Sequence, residues 1–146
     1  MNKTIIALYG RAAEGKSSTI KNVVAIFERL FRFASIEKIK EDGDILAIIT
    51  LNGVKIGIES QGDPSSRMIN EKTIELLISK GCEIIICATR TEGMTVAEVD
   101  KLAAANHYNT IWKSSYYVNG AHTVVANQIA AEEIVSLVQS IIVGRI

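Results

Sequence analysis

Near the start of the chain, Gly10, Arg11, Ala12, Ala13, Glu14, Gly15, Lys16 and Ser17 satisfy the pattern G-x-x-x-x-G-K-[ST] without a mismatch. These residue types suit one task, holding a chain of phosphates. Glycines let the backbone curl so that successive N–H groups point inward at anionic oxygens, and a helix starting behind them adds the positive end of its dipole. Lysine brings a charge and serine a hydroxyl. Ser18 and Thr19 extend the polar surface into the helix. The competing reading is a flexible turn, and the flanks decide against it. Upstream, "KTIIALY" is a continuous apolar run of the kind found in buried strands. Downstream, Ile20, Val23, Val24, Phe27, Leu30 and Phe31 recur at helical spacing, which predicts an amphipathic helix from residue 16 to about residue 33.

With strand, glycine loop and helix in this order, the sequence resembles the P-loop NTPase superfamily. The resemblance implies that the backbone of residues 10–17 cradles phosphates and that Lys16 reaches the β- and γ-phosphates. It also implies that Ser17 is a ligand to Mg2+ and that Ser18 and Thr19 touch the α-phosphate. ATP, or GTP in second place, is the ligand expected.

Such proteins place a carboxylate at the end of a second apolar strand, where it serves the magnesium ion or the attacking group. Glu59, closing "VKIGIE", has that position, and Asp63 is its competitor, although Asp before Pro64 also reads as a helix cap. Both are candidate metal ligands. The hairpin leading into "ESQGDP" resembles that of small GTPases, which ends in D-x-x-G. Glu59, Ser60, Gln61 and Gly62 match it with Glu in place of Asp, implying a contact from the Gly62 N–H to the γ-phosphate. Gln61 precedes the glycine instead of following it. The guanine motif N-K-x-D is missing, "TRTE" at residues 89–92 being its nearest approximation, so ATP ranks before GTP.

Small-molecule and nucleotide kinases share the loop and use arginines against the charge of the transferred group. Arg11, Arg67 and Arg90 are available; Arg90 joins Lys16 and Glu59 as a catalytic candidate, and Arg67 reads as a solvated surface residue. The chain leaves little room for a lid, so any acceptor is expected to be small.

The elements that must position these groups follow from pattern. "DILAIITLNGVKIGIES" is two β-rich runs joined by Asn52-Gly53, a pair suited to a type I′ hairpin. Asp63 and Pro64 open a helix carrying Ile74, Leu77 and Ile78 that ends near Gly81. "EIIICATR" is a further buried strand, "TVAE" at residues 95–98 a capping box before Val99 and Leu102, and "NTIWK" a last strand with Trp112 in the core. In the loop "KSSYYVNGAH", Lys113, Tyr116, Tyr117 and Asn119 are candidates to meet the base, against the plainer reading of a polar loop over a packed tyrosine. A final helix from residue 122 to 143 carries Val125, Ile129, Ile134, Val138 and Ile141 on or near one face. The expected class is α/β: a three-layer P-loop NTPase fold as one domain over residues 1–146. Its mostly parallel five-stranded sheet has the hairpin's first strand as an antiparallel edge and helices on both faces. Ligands would then gather at the strand ends marked by Gly10, Glu59, Thr89 and Lys113.

Sixteen basic and sixteen acidic residues cancel in this 146-residue chain, so neither nucleic acid nor an anionic membrane gains support from charge. No apolar run approaches the ~20 residues of a membrane span, and the first residues are too briefly apolar for a signal peptide. A soluble, cytoplasmic protein is expected. Cys82 and Cys87 read as reduced core residues, and His107 and His122 lack the neighbours of a zinc site. Three functions fit: slow hydrolysis of the γ-phosphate of Mg-ATP, phosphoryl transfer to a small acceptor, or a nucleotide-gated binding module completed by a protein partner or a second copy.

Overall fold

The computed structural model describes residues 1–11 and 15–146. Their strands are β1 (Thr4–Tyr9), β2 (Ser35–Glu41), β3 (Ile45–Leu51), β4 (Val54–Glu59), β5 (Ile84–Thr89) and β6 (Asn109–Ser114), and their helices α1 (Lys16–Leu30), α2 (Arg67–Asn70), α3 (Thr73–Ser79), α4 (Met94–Asn106) and α5 (Thr123–Ile142). The strands form a six-stranded sheet in the order β2-β3-β4-β5-β1-β6. β4, β5, β1 and β6 run parallel, and β3 is antiparallel to both of its neighbours.

Alternation along the inner strands divides the core in two. Ile6 and Leu8 of β1 pack with Ile20, Val23 and Phe27 of α1 and Ile134 and Val138 of α5. Ile5 and Ala7 point the other way, onto Met68, Ile74, Leu77, Val99 and Leu102 of α2, α3 and α4. Helices therefore cover both faces, as a buried parallel sheet requires. Asn52 and Gly53 have φ of 51° and 79°, the positive values that the hairpin turn between β3 and β4 demands.

The sheet departs from expectation in two respects. It has a sixth strand, β2, whose sequence SIEKIKE is too charged to read as apolar; it sits at an edge, where Lys and Glu protect the open hydrogen-bonding groups. The antiparallel strand β3 is consequently second in the sheet and not its edge. The helix expected after Pro64 is two shorter helices, α2 and α3, with Ser66 at the start of the first. Gly93 precedes α4, and Thr95 Oγ1 accepts the Arg90 N–H at 3.1 Å instead of closing a capping box. Trp112 lies outside the core, edge-on to Tyr9 on the exposed side of β6. On α5, Ile134, Val138 and Ile141 are buried, but Val125 and Ile129 are 58% and 47% exposed, because they lie on roughly the opposite side of the helix, while Thr123 and Asn127, on the side of Ile134, line a cleft. Cys82 and Cys87 are free and buried, and burial pushes their thiols up to about 11 and about 12, so neither is a nucleophile at neutral pH.

Phe27 is fully buried between α1, α5 and the sheet, whereas Phe33 is 94% exposed. Phe27→Ala is expected to lower the unfolding free energy by about 3–5 kcal/mol in urea titrations, and Phe33→Ala to change it by under about 0.5 kcal/mol.

Candidate functional site

The carboxyl ends of the parallel strands and the start of α1 meet at a cleft of about 370 Å³, a size within the usual range of small-ligand sites. Gly15, Lys16, Ser17 and Ser18 form one wall, Asp44, Ser60, Gln61, Gly62 and Asp63 the other, and Thr123 and Asn127 of α5 close one side. Gly15 precedes α1 with φ of 78°, no side chain among the described residues caps the helix, and its first turn carries no acid. The positive end of the helix dipole is thus directed at the cleft.

Lys16 is buried, and its Nζ donates to Gly10 O at 2.8 Å and to Arg11 O at 2.6 Å. The ammonium is held back against the loop's own carbonyls, next to the cleft. Arg11 is exposed, and it lines a second depression with Tyr9, Thr91 and Tyr117. Ala12, Ala13 and Glu14, expected to contact phosphate, lie outside the described residues.

Opposite α1, Ser17 Oγ donates to Asp44 Oδ1 at 2.5 Å. The same carboxylate accepts Ser60 Oγ at 2.8 Å and Gln61 Nε2 at 3.4 Å. Ser60 Oγ in turn accepts the Ile45 N–H at 2.8 Å, which fixes the start of β3 to the end of β4. Burial alone pushes the Asp44 carboxyl up. Hydrogen bonds from Ser17, Ser60 and Gln61 and the charge of Lys21 outweigh that and hold it below its ordinary value.

The two acids singled out in the sequence sit differently. Glu59 has no exposure, and Arg67 Nε lies 3.1 and 3.2 Å from its two oxygens. It does not line the cleft, and β5 separates its strand from β1. Burial raises the Glu59 carboxyl even against Arg67. Arg67, expected in solvent, is 5% exposed, because Glu59 needs a buried counter-charge. Asp63 lines the cleft at its rim, where its Oδ1 accepts Arg90 Nε at 2.9 Å. Gly62 lies so close to β5 that a Cβ there would be 2.3 Å from Ala88 O, so any side chain would push the segment away from the sheet.

Lys113 and Tyr116 are engaged with Glu133 on the flank of α5, at 3.4 and 2.6 Å. Asp44, Ser60, Thr123 and Asn127 were not singled out by sequence pattern. For Asp44 a signal exists, since it immediately precedes the apolar run "ILAIITL", but acids were sought after strands and this one comes before an antiparallel strand.

Among the described residues no three His, Cys, Asp or Glu side chains gather as a metal cage. Magnesium does not need one. It takes hard oxygen ligands, one or two of them carboxylates, and completes its shell with phosphate and water. The Ser17 hydroxyl beside the Asp44 carboxylate fits that requirement.

A carboxyl held below its ordinary value adds stability that is fully present above its unfolded pKa and lost as pH falls through the folded one. The difference in unfolding free energy between the wild type and Asp44→Asn should therefore persist at pH 7 and shrink below about pH 4, measured by denaturant titration across that range.

Comparison with known protein families found no matching model, and comparison with curated proteins and solved structures found no significant match, so the functional reading rests on the geometry of this cleft.

Proposed function

We propose that the chain is a P-loop protein that binds a magnesium-nucleoside triphosphate, ATP before GTP, and hydrolyses its γ-phosphate slowly. The observation that carries this reading is a buried lysine and a serine hydroxyl at the start of α1, facing a carboxylate across a small-ligand cleft. A polyphosphate entering the cleft would take the place of the Gly10 and Arg11 carbonyls as the partner of Lys16 and would accept N–H groups at the start of α1. Ser17 and Asp44 are the residues that would hold magnesium, which would neutralise triphosphate charge and polarise the γ-phosphoryl group. Asp44 takes this part in preference to Glu59 because Glu59 is turned into the protein onto Arg67. Gly62, on the wall opposite Lys16, would offer its backbone N–H to the γ-phosphate. Slow turnover is consistent with Gln61. Its amide is engaged by Asp44 and by the Arg67 N–H, at 3.4 and 2.8 Å, so its side chain is committed to the protein.

Transfer to a small acceptor is the second reading, favoured by the Asp63 and Arg90 pair at the rim of the cleft. An acid and a cation there suit a hydroxyl acceptor and the charge developing on the transferred group.

Lys16→Ala should weaken binding of magnesium-ATP by about 10- to 100-fold, as expected for the loss of charge-assisted hydrogen bonds, with little change in thermal stability. If the wild type bound no nucleoside triphosphate at millimolar concentration, the reading would fail. With γ-labelled ATP, hydrolysis predicts label in inorganic phosphate alone. Label on a hydroxyl acceptor would establish the second reading, and tight binding without turnover would leave a nucleotide-gated binding module.

A further inference from the structure

Arg67 does not line the cleft but joins three segments that adjoin its wall. Its Nε lies on both oxygens of Glu59, its Nη1 donates to Asp42 Oδ1 at 2.8 Å, and its backbone N–H donates to Gln61 Oε1 at 2.8 Å. The Gln61 N–H also donates to Glu59 Oε1 at 3.1 Å. Asp42 opens the turn between β2 and β3 that ends at Asp44, and the two are joined by a bond from the Asp42 N–H to Asp44 O at 3.1 Å. A side chain arriving from α2 thus pins the first residue of that turn, while Gln61 and Ser60 hold its last.

Stability alone gives a poor reason for this arrangement. A buried ion pair gains little over apolar packing once both charges are desolvated, and Arg67 Nη2 is buried without a hydrogen-bond partner among the described residues. What the guanidinium supplies is geometry: a rigid, planar fork spanning Glu59 and Asp42, which the single point charge of lysine cannot span.

We propose that Arg67 is a positioning residue that sets Asp44 opposite Ser17, acting through Asp42 and Gln61 from the fixed base of Glu59. The proposal rests on the reading of Asp44 as the acid on the magnesium side of the phosphate site. It assigns to the buried Glu59 and Arg67 pair control over metal-dependent binding, with no direct contact to the nucleotide.

Asp42 gives the test, because its side chain is 63% exposed and does not line the cleft, so its replacement spares the fold. A fluorescent ATP analogue would be titrated against the wild type, Asp42→Ala, Asp42→Asn and Arg67→Lys, with magnesium chloride and with chelator. The expected result is about tenfold weaker apparent magnesium affinity in Asp42→Ala and Arg67→Lys, as for other groups that orient metal ligands, with metal-free nucleotide binding unchanged. Asp42→Asn, which keeps an oxygen for Arg67 Nη1, should stay close to the wild type. A second readout needs no nucleotide: hydrogen exchange at the Ile45 amide, bonded to Ser60 Oγ, should accelerate about tenfold in Asp42→Ala. Unchanged magnesium dependence in both variants would overturn the proposal, and so would equal weakening with and without metal. If the wild type bound no nucleotide at all, the function would fall, and the exchange rates alone would decide whether Arg67 positions the turn.

Discussion

A carboxylate with no exposure at the end of an inner strand must have a counter-charge, and much of the cleft wall is arranged around that requirement. Glu59 is paired with Arg67, and to bring Arg67 inside, the chain after β4 folds back over residues 60–66 before α2 begins. That excursion places Ser60, Gln61, Gly62 and Asp63 in sequence along the cleft. It also presses the Gly62 backbone against Ala88 O, a contact only glycine allows. The ion pair is therefore less a source of stability than a fixed reference from which the polar wall is built.

The second determinant is the direction of β3. Because it opposes its neighbours, its first residue lies at the same end of the sheet as the last residues of β4, β5 and β1. Asp44 thus reaches Ser17 at the start of α1 from the beginning of a strand, and the bonds of Ser60 to Asp44 and Ile45 secure it there. One wall of the cleft comes from a loop and a helix start, the other from the two ends of a hairpin. The first is rich in donors and the second supplies an acid, an asymmetry that suits a cation lying between an anionic ligand and the protein.

Much of this was legible in the sequence where local chemistry decides. The apolar strands β1 and β5, the amphipathic α1 and the Asn52-Gly53 hairpin each carry their own pattern, and each lies where that pattern predicts. The exceptions depend on neighbours. SIEKIKE forms a strand because β3 offers an edge to pair with, not because the segment is apolar. Whether Glu59 or Asp44 faces Ser17 depends on strand order and direction, which an acid's position along the chain does not reveal. Arg67 is an ordinary surface residue by type and is drawn inside only because a buried acid lies beside it. Val125 and Ile129 are a different case: they are apolar, yet the helical period turns them to roughly the opposite side of α5 from the buried Ile134, Val138 and Ile141, so the expectation that placed them on the core face fails.

The sheet order also has a consequence for how the protein comes into being. β1, which leads into the glycine loop before α1, is flanked by β5 and β6, so that residue 4 pairs with residues 84 and 109. This strand thus finds its neighbours only after both distant strands have been made, while the hairpin of β3 and β4 can close on its own. During synthesis the loop after β1 emerges before β5 and β6 and waits, with its strand unpaired, for them. An intact cleft is accordingly a late product of folding, and a nucleotide that recognised it would select finished molecules over nascent ones.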